Sequence, residues 1–275
     1  MAVSIPNNSP IYFPTLQSRY DGITNEQASG EAILSNGELV YEWGNFIQEY
    51  AQTDEIFLQL RVDGLIPVYT IRLTQYLNGE ESDTTFPATS TPVNPSGEYF
   101  YNFHIPLNAF SGEFTLTIEE SGVGDVGTSV RMKIHPADCD RLSLSRLIEY
   151  AYLGCGRDRS YFEGDENTPT NTYKLRLPAV LQFDSRSSEL TSSLGSDGTW
   201  DYSAARSYVV ENLETGSWKL PDYMHRLMSL VLLHRYLTID GTRFVIHSDW
   251  RANAPEDRET VREGSGQVKR YSSYE

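Results

Sequence analysis

Three side chains able to ligate a metal or act as nucleophiles lie in the middle of the chain. His135, Cys139 and Cys155 form the pattern His-x3-Cys-x15-Cys. A structural zinc site normally uses four such ligands at tighter spacing, so this incomplete set favours two reduced, partly buried thiols. One disulfide between the two cysteines stays open, but the sequence gives no secretory context that would favour it.

The acidic residues form no recognisable catalytic or calcium-binding set. One group could offer oxygen ligands to calcium but lacks the spacing of an EF-hand loop: Asp158, Glu163, Asp165 and Glu166. A second group is interpreted in the same way, as solvated surface: Glu80, Glu81 and Asp83. Glu119 and Glu120 are neighbours on a predicted strand, so they point to opposite faces and cannot flank one glycosidic bond.

The common catalytic motifs are missing from the sequence. It contains no Gly-x-Ser-x-Gly elbow, no Walker lysine loop and no His-Glu-x-x-His. The run Gly122-Val-Gly-Asp-Val-Gly127 is flanked by predicted strands and is interpreted as a turn. His225 and His234 are nine residues apart on one predicted helix, which favours surface or capping roles over metal binding. We therefore expect no enzymatic activity, no cofactor and no bound metal.

The best-defined structural pattern lies between Trp218 and Trp250. Pro221 and Asp222 suit the start of a helix. Residues at helical spacing then define a buried face, which two further leucines widen: Met224, Leu227, Met228, Val231 and Leu232, with Leu230 and Leu233. His234 and Arg235 are expected to end the helix, where positive charge is favourable. Two strands should follow, Tyr236 to Ile239 and Thr242 to His247, joined by a type I′ turn at Asp240-Gly241.

The region from 46 to 137 has a period close to two. Five strand candidates are separated by turn-rich spacers: Ile56–Val62, Val68–Leu77, Tyr99–Ile105, Phe114–Ile118 and Val130–Ile134. Several short strands in fewer than a hundred residues predict an antiparallel β-sandwich of immunoglobulin-like or jelly-roll type. The tryptophan and cysteine pair of antibody domains is missing, so the topology stays open between the two.

The region from 138 to 250 is predicted to be a smaller α+β domain. Apolar spacing from Leu142 to Ala151 predicts a short helix, capped by Asp140 or Ser143 and ending at Gly154. Lys174 to Phe183 is expected to be a strand broken at Pro178. Residues 185–203 are polar and rich in Ser and Gly, which predicts a mobile loop or one ordered by a partner. Tyr208 to Leu213 is expected to be a further strand.

The two ends of the chain are expected to lie outside these domains. Residues 1–45 are rich in Asn, Ser, Pro and Gly and predict an extended arm, while 251–275 predict an exposed tail. The fold is thus expected to be mainly β: arm, sandwich, α+β domain and tail. Aromatic residues in the arm, the loop and the tail are the candidates for contacts with other subunits: Tyr12, Phe13, Tyr20, Trp43, Trp200, Tyr271 and Tyr274.

Composition restricts the classes of partner. The 275 residues carry a formal net charge of −16 and are 39% hydrophobic, as expected of a folded protein. An acidic chain argues against general nucleic-acid binding, which needs a face rich in Lys and Arg. No apolar run approaches the roughly 18 residues that span a bilayer, and no signal peptide is visible. We expect synthesis in the cytoplasm and no membrane insertion.

Three sequence blocks carry a resemblance to a known family: Thr53-Asp-Glu-Ile-Phe-Leu-Gln-Leu-Arg-Val-Asp-Gly64, Arg176-Leu-Pro-Ala-Val-Leu181, and Leu220-Pro-Asp-Tyr-Met-His with Ile239-Asp-Gly-Thr-Arg-Phe244. Together they resemble a loosely defined family of tail or baseplate structural proteins from tailed bacteriophages and prophages of Bacteroidota-type hosts. The similarity spans about residues 46–250, and Arg251–Glu275 departs from the family pattern.

The resemblance implies a virion protein, a repeated subunit that binds itself and other virion structural proteins and has no catalytic residues. A different class stays open as the alternative, a carbohydrate-binding β-sandwich module at a cell surface. Its signal is the 18 tyrosines, since exposed aromatic rings stack on sugars as well as on proteins. An intracellular enzyme of unrecognised type is the third interpretation.

Overall fold

The structure is a computed structural model of the 275-residue chain. It describes residues 3–6, 8–13, 16, 31–33, 39–41, 47–62, 68–93, 97–153, 162, 164–194, 200–253 and 261–270. Within this part of the chain the fold is mainly β, as predicted, with two helices and several antiparallel sheets. No helix in these ranges is long and apolar enough to cross a membrane.

The first half of the described chain contains eleven strands: β1 Val3–Ser4, β2 Glu31–Ile33, β3 Leu39–Tyr41, β4 Gln48–Ala51, β5 Glu55–Val62, β6 Tyr69–Leu77, β7 Glu80–Pro87, β8 Tyr99–Pro106, β9 Gly112–Glu120, β10 Gly124–Thr128 and β11 Met132–His135. The second half contains the two helices and eleven further strands: α1 Asp140–Ser143, β12 Ser145–Leu153, β13 Gly164–Asp165, β14 Thr168–Pro169, β15 Tyr173–Pro178, β16 Val180–Leu194, β17 Trp200–Glu214, β18 Leu220–Pro221, α2 Asp222–Val231, β19 His234–Ile239, β20 Thr242–Ala252, β21 Val261–Arg262 and β22 Gly264–Arg270.

Two sheets form the predicted sandwich. One has the strand order β1-β5-β8, and the other has the order β4-β11-β9-β6-β7, with β10 paired to β9. All pairs are antiparallel except β4 with β11, which is parallel. The inward faces of both sheets share one hydrophobic core that includes Leu58, Leu60, Ile71, Phe103 and Leu116. The predicted strands between Ile56 and Ile134 are thereby confirmed, with ends shifted by up to two residues.

Strand β5 is buried on both faces, although Gln59 and Arg61 are polar. Its even-numbered residues point into the sandwich core, as Leu58 does. Phe57 points the other way and belongs to the core of the second half of the molecule. Gln59 lies on that same face and accepts a hydrogen bond from the Tyr173 hydroxyl at 3.2 Å. The sandwich and the second unit therefore pack directly on each other.

The second unit is a seven-stranded antiparallel sheet with the order β15-β12-β19-β20-β22-β17-β16. Helix α2 packs on it, and its predicted apolar face is confirmed at Met224, Met228 and Val231, which are completely buried. The predicted widening of this face by Leu233 is wrong, because Leu233 follows the end of the helix and is 41% exposed. The helix starts one residue later than predicted, with Pro221 as its cap. The predicted hairpin is also present, and Asp240 and Gly241 have the positive φ angles, 49° and 77°, that a type I′ turn requires.

The predicted helix between Leu142 and Ala151 is wrong. Helix α1 ends at Ser143, and β12 begins at Ser145. Strand β12 pairs with β15 on one side and β19 on the other, and its alternate residues Ile148 and Tyr150 are completely buried. Six of its nine residues are apolar, on both faces of the strand, so that helical spacing occurs by accident.

The chain ends are less separate than the sequence suggests. Residues 261–270 were expected in an exposed tail, but β22 lies inside the seven-stranded sheet, between β20 and β17. Gly264 and Gly266 let this strand approach the ring of Trp250, because a Cβ at Gly264 would be 2.4 Å from a ring carbon. At the other end, β1 pairs with β5, and residues 8–13 are buried.

Candidate assembly surface

Strands β16 and β17 form a long hairpin that extends beyond the sheet. The next strand, β22, pairs with β17 only from Val210 to Glu214. Beyond that point nine residue pairs, from Arg186 with Val209 to Leu194 with Trp200, pair with no other described strand. At about 3.3 Å per residue, this two-stranded extension reaches roughly 30 Å. We call residues 186–209 the projecting hairpin; residues 195–199 at its tip lie outside the described residues.

The base of the projecting hairpin is fixed to the sheet. A register shift between Phe183 and Ser185 places Asp184 in a bulge, where its Oδ1 accepts a hydrogen bond from Asn212 Nδ2 at 3.1 Å. Such a bulge bends the strand and increases its local twist. On β17, the Tyr208 ring lies 4.5 Å from Lys269 Nζ and 5.9 Å from the His247 ring. The hairpin therefore leaves the sheet in a defined direction.

The outer edge of β16 is open in the part of the chain that the structure describes. Val180 to Leu194 pair with β17 on one side and with no other described strand. Phe183, on this edge strand, is 65% exposed. Long edge strands tend to pair with further chains, and proteins usually cover or shorten them. This edge is neither short nor covered by a described segment.

The aromatic residues predicted to contact other subunits fall into three groups. Tyr12 and Phe13 are buried within the chain itself, so they present no surface to another subunit; Tyr12 stacks on Tyr223 with ring centroids 4.6 Å apart. Trp200 lies on β17 at the far end of the projecting hairpin, and only its backbone is described. The remaining four lie outside the described residues: Tyr20, Trp43, Tyr271 and Tyr274.

Tyr12 and Phe13 are buried because residues 8–13 pass between the two units. Phe13 enters the sandwich core and Tyr12 enters the other core. Gln48 donates to the Pro10 carbonyl at 3.0 Å, and the Tyr150 hydroxyl donates to the Asn8 carbonyl at 2.8 Å. A polar segment with isolated aromatic residues is therefore a buried connection here, although its composition is typical of an arm.

The predicted loop at 185–203 is the region that the sequence misjudged most. Ser and Gly lower strand propensity, and a hairpin of this length is stabilised by its own partner strand rather than by an apolar stripe. The sequence signal that could have indicated paired strands is the alternation of apolar residues on either side of 185–203, in Val180 to Phe183 and Tyr208 to Leu213. Both continue directly into the projecting hairpin.

A cleft of about 300 Å³ on the sandwich is the feature relevant to sugar binding. It is lined by three tyrosines and four small or apolar residues: Tyr69, Tyr99, Tyr101, Val68, Pro87, Ala88 and Thr91. Tyr69 and Tyr101 are 1% and 4% exposed and pack edge to face on each other, so their rings are already covered. Tyr99 is the one half-buried tyrosine of the three.

Among the described residues, no group of three or more His, Cys, Asp or Glu side chains is arranged to hold a metal ion. Cys155, Asp158 and Glu163 lie outside these residues, so the prediction of no zinc and no calcium stays a prediction. Glu119 and Glu120 do face opposite ways: Glu120 accepts from the Tyr69 hydroxyl, and Glu119 lies 3.3 Å from Arg72.

His225, in α2, and His234, the first residue of β19, have structural roles. His225 Nδ1 accepts a hydrogen bond from Trp250 Nε1 at 3.1 Å, and its Nε2 lies 3.0 Å from the Arg262 carbonyl. His234 Nδ1 lies 2.9 Å from the Leu230 carbonyl at the end of α2. His225 therefore joins β20 to the segment before β22, and His234 caps the helix.

The sequence matches no protein-family model and no curated protein.

Proposed function

We propose that the chain is a structural subunit of a repeated assembly, in which the projecting hairpin binds a neighbouring copy of the same chain. The observation that carries this proposal is the nine-pair extension of β16 and β17 beyond the last strand that supports them. An isolated two-stranded hairpin is marginally stable in water. A neighbouring subunit supplies contacts that the described part of the single chain does not provide.

The assembly that we propose is a virion, with this chain in the tail or baseplate of a phage or phage-like particle. The proposal rests on the resemblance of residues 46–250 to such proteins, and the arrangement of the fold supports it. A rigid double core holds a long hairpin at a fixed angle, which suits a subunit that must meet its neighbours in one orientation. The acidic surface keeps free subunits apart until the hairpin and its binding surface engage.

Shortening the hairpin tests the role in assembly. Residues 189–206 can be replaced by Asn-Gly, since Ser188 and Ser207 are direct partners and accept a type I′ turn. We expect the variant to melt within a few degrees of the parent and to remain monomeric under conditions in which the parent oligomerises. Size-exclusion chromatography with light scattering measures the oligomeric state of the variant and of the parent.

The matched control shortens another surface hairpin, β6–β7. Replacing residues 76–81 by Asn-Gly between the partners Gln75 and Ser82 should leave oligomers intact. A parent that stays monomeric at high concentration, or oligomers that survive loss of the projecting hairpin, would contradict the proposed assembly role. Mass spectrometry of purified particles from the source then tests the proposed place in a virion. A protein that is missing from particles and enriched on polysaccharide or cell surfaces would instead be a carbohydrate-binding module.

The tyrosine cleft is the feature that favours the alternative, a carbohydrate-binding module. Tyr99 is the ring that a sugar could stack on there. In that case Tyr99→Ala would abolish retention on a polysaccharide column, whereas Tyr76→Ala, which removes a tyrosine at the other end of the sandwich sheet, would not. Equal retention of both variants and the parent would exclude this cleft as a sugar site.

A further inference from the structure

A second chemical feature lies where the sandwich meets the seven-stranded sheet and plays no part in the proposed assembly. Strand β11 ends at His135, the chain turns, and Cys139 immediately precedes α1. Cys139 Sγ lies 3.7 Å from His135 Nδ1, within hydrogen-bonding distance for sulfur. Cys139 is partly exposed, whereas His135 is 8% exposed. A thiol at the surface is thus in contact with a buried imidazole.

The other nitrogen of His135 faces a carboxylate. In the parallel pair β4–β11, Glu49 lies opposite Lys133, and His135 follows on the same face two residues later. Glu49 Oε1 is 3.4 Å from His135 Nε2 and 2.5 Å from Arg141 Nε. The parallel register therefore aligns a thiol, an imidazole and a carboxylate in that order.

This order is the one that nucleophilic thiols need. The imidazole takes the thiol proton at Nδ1, and the carboxylate stabilises the imidazolium that results and holds the ring in place. The thiolate, rather than the thiol, is the form that attacks. His135 Nε2 is buried and makes no hydrogen bond of good geometry with a described residue, so a small shift of the Glu49 side chain would complete the set.

The space in front of Cys139 is a cleft of about 360 Å³. The side chains that line it are mostly small or acidic, and they include Thr53, Asp138, Asp140, Ser143 and Arg176. Arg176 is already neutralised, because it donates two hydrogen bonds to Asp54 at 2.5 and 2.8 Å. The charges that remain to meet a ligand are the carboxylates of Asp138 and Asp140. Such a cleft favours a cationic molecule and repels an anionic one.

We propose that Cys139 is a nucleophilic thiol, activated by His135 and Glu49, that forms mixed disulfides with small cationic disulfides entering this cleft. In this step the Cys139 thiolate attacks one sulfur of the small disulfide, and the bond between its two sulfurs breaks. The departing thiolate takes the proton that His135 received from Cys139. Cys139 is oxidised and the departing half is reduced, so no further oxidant is needed.

The reaction is measured on the full chain carrying Cys155→Ser, which leaves one thiol. The probes are cystamine, which carries two amines, and 3,3′-dithiodipropionate, which is similar in size and carries two carboxylates. Mass spectrometry follows the mixed disulfide at pH 7, with the same chain unfolded in urea as the reference for an ordinary thiol. We expect cystamine to react at least about tenfold faster with the folded than with the unfolded chain, as activated thiols do. The ratio of the rate with the folded chain to the rate with the unfolded chain should be clearly smaller for dithiodipropionate than for cystamine.

The substitutions His135→Gln and Glu49→Gln should lower the cystamine ratio toward one. The rate of the His135→Gln variant should also rise steeply up to about pH 8.5, as for a free thiol, whereas the parent rate levels off at lower pH. The charged groups that surround Cys139 and contribute to this profile are Glu49, His135, Asp138, Asp140, Arg141 and Arg176.

A matched control is His104→Gln. His104 Nδ1 is 3.0 Å from Glu55 in another histidine–carboxylate pair, so the substitution should leave the cystamine ratio unchanged. A folded parent that reacts no faster than the unfolded chain overturns the proposal, even if a variant fails to fold. Equal ratios for the two probes overturn the charge selectivity, and a His135→Gln variant with the parent rate and pH profile overturns the role of His135.

Discussion

At the scale of single residues, His234 is an ionisable group whose environment permits only one charge state. It is 3% exposed, and its Nδ1 donates to the carbonyls that end α2. Its Nε2 must then accept, and Asn8 Nδ2 lies 2.9 Å from it. Burial lowers the pKa of His234 to about 4, although the two backbone hydrogen bonds act in the opposite direction. His234 is therefore neutral in the folded chain at neutral pH.

This pKa makes the stability of the fold depend on pH. In the unfolded chain His234 takes up a proton below about pH 6.5, but in the folded chain only near pH 4. The contribution of neutral His234 to the free energy of unfolding is complete above pH 6.5 and is lost as the pH falls from 6.5 toward 4. By pH 5 the loss amounts to about 2 kcal/mol.

His234→Gln is expected to remove this part of the pH dependence, because glutamine can donate and accept in the same positions without taking up a proton. Urea unfolding at pH 7 and pH 5 measures the free energy of unfolding of each protein. The parent should lose about 2 kcal/mol more than the variant between the two values. His104→Gln is the control, since the side chain of His104 is 30% exposed. Equal losses in parent and His234→Gln would show that His234 is not held neutral.

The sequence predicted that His234 ends the helix, but α2 ends at Val231 and His234 begins β19; its charge state was not predicted either. A histidine at the end of a helix suggests a positive charge beside the helix dipole. Which residues cover that position depends on Asn8 and Tyr150, which are 226 and 84 residues away along the chain, the Tyr150 ring being 4.8 Å from that of His234. Contacts of this kind cannot be inferred from local spacing. The pairing of His135 with Glu49, which are distant in the sequence, was hidden for the same reason.

At the scale of secondary-structure elements, local periodicity was decisive where one face of an element is buried and the other is exposed. Helix α2 and strand β6 satisfy this condition, and the sequence predicted them. The hairpin β16–β17, which extends away from the core, does not satisfy it, and in β12 the apolar residues, six of nine, also match helical spacing. Their structure depends on which strands lie beside them, and that is a property of the whole sheet.

The helix face gives a paired test. Val231 is completely buried in the core beneath α2, whereas Leu233, two residues further on, is 41% exposed. Val231→Asp should abolish soluble expression or lower the free energy of unfolding by several kcal/mol, because a buried, unpaired charge is not offset by any partner. Leu233→Asp should cost less than about 1 kcal/mol. Thermal melts that are equal for the two variants would mean that the buried face is wrongly assigned.

At the scale of the whole molecule, the two units share too many buried contacts to behave as separate domains. Phe57 of the sandwich lies in the core of the second unit, and Tyr12 and Phe13 occupy one core each. Arg176 of β15 forms a bidentate ion pair with Asp54, whose side chain is 3% exposed. The sequence placed a boundary near residue 137 because its periodicity changes there. It could not show that β5 is covered by the next unit.

We therefore expect one cooperative unfolding transition, and we expect the junction to be sensitive to a single substitution. Arg176→Met leaves the Asp54 carboxylate buried without its partner and should destabilise the whole chain by about 3–5 kcal/mol. Arg72→Met removes ion pairs whose partners are at the surface and should cost about 1 kcal/mol or less. Calorimetry distinguishes the outcomes. Two resolved transitions, or a loss confined to one of them, would show that the units fold independently.

The position of β22 has a consequence for how the protein is made. It lies between β20 and β17, so residues 264–270 must leave the ribosome before the seven-stranded sheet can close. Among the described strands, β17 is hydrogen-bonded to the rest of that sheet through β22, and the projecting hairpin is attached through β17. A nascent or prematurely ended chain therefore cannot hold the hairpin in place. Because of this strand order, only a chain synthesised through Arg270 can present the hairpin to another subunit.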